Sequence, residues 1–179
     1  MQLPRDIEGD IAMADAKLAN VPKVRRVDTI HQHTECADGD TAWREYEFPG
    51  VLANVPRYRE EVMQFVEEHC PENGDRIDIL VALQEALANA ALHGCKDDPA
   101  KMIRCTVSAT QSDVVISVRD PGTGFDLALA DPENYRVTTL THGRGICLIR
   151  SLMSEVTFAH RGSEIVLRKH LTPQNAVLK

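Results

Sequence analysis

A chain of 179 residues, 43% hydrophobic but only 4% aromatic, has room for one domain with a modest appendage and calls for an aliphatic core of Leu, Ile, Val and Ala. Its formal net charge of −7 and pI near 5.5 exclude an electrostatic grip on nucleic acid, which needs Lys and Arg gathered against phosphates. No apolar run approaches the roughly 18–20 residues of a membrane span, and five cysteines (Cys36, Cys70, Cys95, Cys105, Cys147) without a CxxC pair suit reduced thiols in the cytoplasm.

Residues 1–42 begin MQLPRDIEGD, acidic where a signal peptide would be basic and then apolar. Pro22, a basic patch at Lys23, Arg25 and Arg26, and the string HQHTECADGD follow. A short helix over 11–20 is all the periodicity offers, so the segment is expected to be a partly irregular extension. His31 and His33 with Cys36 nearby raise the question of zinc. Zinc takes about four ligands in a closed shell and no fourth stands close, so a solvated, irregular stretch is expected there.

From Trp43 the pattern sharpens. Trp43–Phe48 carries strand-forming aromatics and is broken by Pro49-Gly50. Val55, Tyr58, Val62, Phe65, Val66 and His69 recur at helical spacing, with Pro71 and Gly74 as the stop. A second helix is predicted from about Asp75 to Leu92, with Leu80, Leu83, Leu87 and Ala91 on one stripe. Ile103, Cys105, Val107 and Ala109 alternate along one strand, Val114, Ile116 and Val118 along the next, and Gln111–Asp113 is hairpin-length. Asp120 then falls at a strand end. After a loop of about twenty residues come a helix from Gly145 to Met153 and two strands near Glu155–Ala159 and Glu164–Lys169, turning at Arg161-Gly162. This order predicts an α+β fold: a two-layer α/β sandwich, mostly antiparallel sheet with helices on one face. The domain is expected to span residues 43–171, leaving 172–179 as a tail.

Three strings carry chemistry. In LQEALANAALHG, Glu85 and Asn89 are one helical turn apart on the same face, and His93 continues the row. Taken alone, such a pair suits a solvent-facing stripe. The same two groups also suit magnesium, which prefers oxygen ligands shared with phosphates, and a carboxylate placed to handle a hydroxyl proton. In VRDPGTGFD, a tight turn explains Pro121 and Gly122. It does not explain Asp120 at a strand end with Gly124, Phe125 and Asp126 following; such an acid can accept a hydrogen bond from an exocyclic amine while the glycines admit a ligand close to backbone. In THGRGICLIRSLM, Gly143 and Gly145 precede a helix whose free N–H groups favour an anion, and Arg144 adds a charge suited to phosphate.

Each string is weak alone; their order and their places at element ends are specific. Together, E-x-x-x-N on a helix, D-x-G-x-G-F-D after a strand and G-R-G-x-x-L-I-R opening a helix resemble the GHKL (Bergerat-fold, histidine-kinase-like) ATPases. NAALHG, GTGFD, GRGICLIRSLMSEV and SEIVLRKHL are similar to the signatures of the anti-sigma-factor serine kinase family within that superfamily. The resemblance covers about residues 43–171. It implies ATP and Mg²⁺ as cofactors, with Glu85 as catalytic base, Asn89 as magnesium ligand and His93 in the same nucleotide site. By the same resemblance Asp120 reads adenine with Gly122 and Gly124 beside it. Gly143, Arg144 and Gly145 then form the phosphate-contacting end of a lid over Leu127–His142. Ser163 stands where the family usually has Thr, and the 42-residue leader has no counterpart.

The resemblance further implies a cytoplasmic serine protein kinase that binds a sigma factor and phosphorylates a serine of an anti-sigma-factor antagonist. A homodimer, and no direct contact with nucleic acid or membrane, belong to the same expectation. A nucleotide-switched binding module without catalysis is the alternative, and a sensor histidine kinase fragment a weaker one, since residues 1–42 are too short and irregular for a dimerising helical hairpin. The Walker pattern is absent, as are the signatures of eukaryotic-type kinases, and Leu148 stands where a dinucleotide loop needs its third glycine.

Overall fold

The computed structural model describes residues 29–33, 41–70, 73–124 and 144–173. The helix expected over 11–20, Cys36, Phe125, Asp126, the lid span 127–142, Gly143 and residues 174–179 lie outside them. Six strands form one sheet in the order β1-β2-β3-β4-β6-β5, every neighbouring pair antiparallel. The strands are β1 (Thr29–His33), β2 (Ala42–Pro49), β3 (Met102–Ala109), β4 (Asp113–Arg119), β5 (Glu155–Ala159) and β6 (Glu164–His170), and the helices are α1 (Val55–His69), α2 (Asn73–Asn89) and α3 (Arg144–Leu152).

Alternation decides which face is covered. Ile103, Cys105, Val107 and Ala109 of β3 are buried, as are Val114, Ile116 and Val118 of β4 and Leu167 of β6, whereas the residues between them are not. In register Val107 faces Ile116 and Ile116 faces Leu167, so the buried set lies on one side of the sheet. Against that side pack Val55, Val62 and Val66 of α1, Ile79, Leu83 and Leu87 of α2, and Ile149 of α3. Each large apolar side chain so buried contributes about 2 kcal/mol. The two-layer α+β sandwich follows from this one-sided apolar set.

Three details differ from the sequence expectation. Residues 29–33, expected as a solvated irregular stretch, pair along β2 as β1, from Thr29↔Glu47 to His33↔Trp43. The core is not purely aliphatic: Tyr46, Phe48, Tyr58 and Phe65 are buried, and Phe48 stacks on Tyr58 with ring centroids 3.8 Å apart. Tyr46 tolerates burial because its hydroxyl donates to the Glu61 carbonyl at 3.1 Å, and burial raises its pKa. Gly74, expected as a stop signal, lies inside the first turn of α2; α1 instead ends at His69, where Cys70 turns extended and Arg76 donates to the Cys70 and Glu67 carbonyls.

Candidate functional site

The second helix does not run on as an α-helix to Leu92. After Asn89 it widens into a π-helical turn, Ala90–Cys95, which ends on Lys96 in the left-handed conformation with φ of 60°. Such turns are uncommon and concentrate at functional sites. His93 lies in this turn and is exposed at the surface, and Gly94 and Cys95 follow it at the end of the turn. Glu85 and Asn89 stay half-buried on the α-helical part. Rotation of α2 is held by the core residues Ala82, Leu83, Ala86 and Leu87 and by Arg59 of α1, which donates to Gln84 Oε1 at 3.0 Å.

Two groups of expected residues come together. In the first, Gly145 in the opening turn of α3 lies against α2: a β-carbon there would stand 2.7 Å from Glu85 Oε2 and 3.3 Å from Asn89 Nδ2. The free N–H end of a helix therefore faces a carboxylate and a carboxamide across a space that only glycine leaves open. Arg144 begins the same helix.

The second group surrounds Asp120, one residue beyond β4. Its backbone N–H donates to the Ser163 carbonyl at 3.0 Å, and its Oδ1 accepts the Gly122 N–H at 2.7 Å. A β-carbon at Gly94 would fall on the Asp120 carboxylate; one at Gly122 would stand 2.7 Å from Asp120 Oδ1 and 2.9 Å from the Gly94 Cα. Gly124 takes φ of +75°, a conformation glycine adopts freely, and its α-carbon abuts the Arg161 carbonyl and the Ser163 N–H. Ser163 is buried, and its hydroxyl donates to the His160 carbonyl at 3.0 Å. Burial raises the pKa of Asp120, against the hydrogen bond from Gly122 and the charge of Lys101, which lower it. Cys95, fully buried behind it, is pushed up to about 11 by burial and then by Asp120; its Sγ occupies the space a side chain at Gly50 would need.

The two groups are joined by the π-helical turn, which leaves Asn89 at one end and delivers Gly94 and Cys95 at the other. Sequence reasoning placed Glu85, Asn89, Asp120, Gly122, Gly124, Gly145 and Ser163 here. It gave no role to Gly94, Cys95, Lys101 or the Arg161 carbonyl. Gly94 closes the NAALHG string, and the only local signal it offered was a glycine at a helix end, which a plain C-cap explains equally well.

The arrangement fits a nucleotide with a divalent cation. Glu85 and Asn89 offer the oxygen donors that Mg²⁺ prefers, since rotation of the Asn89 amide exchanges its nitrogen for its oxygen. Asp120, half-buried in its glycine-walled corner, offers a carboxylate as hydrogen-bond acceptor. Among the described residues no group of three or more His, Cys, Asp and Glu is placed to hold a metal by itself.

Comparison with known proteins places residues 48–169 within the model of the histidine kinase-like ATPase domain. The chain is also similar to an anti-sigma F factor from Anoxybacillus flavithermus, 27% identical over 142 residues, covering 73% of this chain and 94% of the relative. The anti-sigma F factor of Geobacillus kaustophilus is 27% identical over 141 residues with the same coverage. That of Clostridium perfringens is 25% identical over 136 residues, covering 70% and 94%. Among the described residues no helix is long and apolar enough to cross a membrane.

Proposed function

Because this chain belongs to the histidine kinase-like ATPase domain family, an ATP-binding family, we propose that it is a serine protein kinase acting as an anti-sigma factor. In this reading it binds a sigma factor and, at the expense of ATP, phosphorylates a serine on an antagonist protein that competes for it, a partner-switching circuit in the cytoplasm. The observation that carries the reading is the meeting of Glu85, Asn89 and the Gly145 end of α3 in one contact. The anti-sigma F factor relatives support the partner class, since the matched segments cover 94% of their length.

The residues divide the work. Asp120 holds the exocyclic amine of adenine, with Gly122 and Gly124 letting the base approach the backbone and Ser163 fixing the Asp120 main chain. Asn89 would hold Mg²⁺, which neutralises charge on the phosphates when bound. Gly143, Arg144 and Gly145 supply backbone N–H groups and a cation to the phosphates, and His93 is assigned to the same site by the family resemblance. Glu85 accepts the proton of the attacking serine hydroxyl. A homodimer is part of the proposal.

The test is incubation with labelled ATP and candidate antagonist proteins, scoring phosphoserine. Glu85→Gln should keep ATP binding within about threefold yet lose at least ~10²-fold in phosphotransfer. Asn89→Ala should lose magnesium-dependent binding with the circular dichroism spectrum unchanged. Normal phosphorylation by the Glu85 variant removes Glu85 as base. Binding of the sigma factor that follows ATP occupancy without any turnover by the wild-type protein leaves a nucleotide-switched binding module instead.

A further inference from the structure

Helices α2 and α3 meet at two places. One is the site, where Gly145 lies on Glu85 and Asn89. The other is at the far ends of the same two helices and centres on Lys169 of β6. Its ammonium donates to Asp78 Oδ2 of α2 at 2.6 Å and to the Leu152 carbonyl of α3 at 2.9 Å, with Asp75 Oδ1 at 3.7 Å. The other Asp75 oxygen accepts the backbone N–H of Thr172 at 2.8 Å. Lys169 keeps only 13% of its side-chain exposure and Asp75 9%, so this is not a loose surface pair.

The spacing connects the two places. Glu85 is seven residues after Asp78, and Gly145 is seven residues before Leu152. Seven residues are two helical turns, about 10.5 Å, and return to nearly the same face. The helices run antiparallel, so the Lys169 contact and the Gly145 contact are two rungs of one interface. Helix α3 has nine residues, and among its described side chains Ile149 alone is fully buried. Apolar contact is non-directional and tolerates sliding along the axis. A hydrogen bond to one chosen carbonyl does not, and a cation at a helix C-terminus is favoured by the dipole as well.

We propose that Lys169 is a positioning residue: by gripping Leu152 and Asp78 together it sets the axial register of α3 on α2 and so holds the Gly145 end against Glu85 and Asn89. The consequence for nucleotide binding rests on the function proposed above. Lys169 itself stands two turns from the site and acts only through the helices.

The test uses the full chain and two readouts. In nucleotide-free protein, the backbone amide resonance of Gly145 reports the register without any ligand. Calorimetric titration with Mg-ATP reports the site. Lys169→Met keeps the aliphatic stem and removes the donors; it should move the Gly145 resonance and weaken Mg-ATP roughly tenfold, while Lys169→Arg restores most of both. A Lys169→Met protein with a lower melting temperature but an unmoved Gly145 resonance, or with Mg-ATP affinity within about twofold of wild type, overturns the proposal and leaves a plain structural ion pair. Should Lys169→Met fail to fold, Asp78→Asn keeps the Leu152 bond and should show both effects at smaller size; neither effect in that variant is equally decisive against it. A wild-type protein that binds no ATP sinks the functional reading alone, because the Gly145 resonance still decides whether Lys169 sets the register.

Discussion

Asp120 is held from three sides by atoms that leave no freedom: its own N–H on the Ser163 carbonyl, its Oδ1 on the Gly122 N–H, and the bare α-carbon of Gly94 against its carboxylate. Burial raises its pKa, so the folded chain keeps the proton to a higher pH than the unfolded chain does. The penalty for ionising it is therefore absent below the unfolded value and grows as the pH climbs through the raised folded value. Asp120→Asn should accordingly raise the melting temperature of the nucleotide-free protein by a few degrees near neutral pH. The gain should shrink as the pH falls toward about 4, while ATP binding is lost throughout. Thermal melts across that range check it, and a gain that widened on acidification would reverse the assigned cause. At this scale the sequence was informative wherever a residue type is unusual for its place: an acid at a strand end, glycines after it, glycines before a helix. It was silent on Gly94, because what makes that glycine necessary is a carboxylate 26 positions away in the chain, and no local pattern encodes such an approach.

The π-helical turn is the element on which both halves of the site depend, and it carries identifiable backbone strain. Lys96 and Asp97 both take positive φ, 60° and 56°, a conformation that costs a residue with a β-carbon about 1–2 kcal/mol. Asp97 offsets its share by accepting the Leu52 N–H at 2.7 Å, which ties the turn to the segment before α1. Lys96 is exposed and forms the C-cap through its backbone alone, its N–H bonded to the Ala91 carbonyl. Lys96→Gly should therefore stabilise the fold by about 0.5–1 kcal/mol, whereas Asp97→Gly should not, and urea denaturation of the two variants separates them. The helices and central strands were legible because apolar periodicity and burial coincide there: Leu83 with Leu87, Val107 with Ile116. The π-helical turn was not, since Ala90, Ala91 and Leu92 continue the composition of the helix before them. Strand β1 was missed for a different reason. Of its five residues THQH and one Ile, a single apolar side chain gives no alternation, and its place in the sheet comes from backbone pairing with β2.

At the scale of the molecule, β1 lies at one edge of the sheet. Glu85, Asn89, Asp120 and Gly145 lie on α2, at the end of β4 and on α3, whereas β1 is the outermost strand, beyond β2. The family model begins at Phe48, the penultimate residue of β2, so β1 lies outside the matched residues. What β1 covers is the hydrogen-bonding edge of β2 over Trp43–Glu47. An uncovered edge of eight residues is a template for pairing with another chain. A chain beginning at Thr41 should then bind Mg-ATP within about threefold of the full chain, because every residue assigned to the nucleotide site is kept, while its exposed β2 edge drives self-association. Light scattering during calorimetric titration measures both on one sample. Loss of ATP binding in a folded, truncated chain would place part of the site on the leader, and a truncated chain that associates no more than the full one would mean that β2 needs no cover.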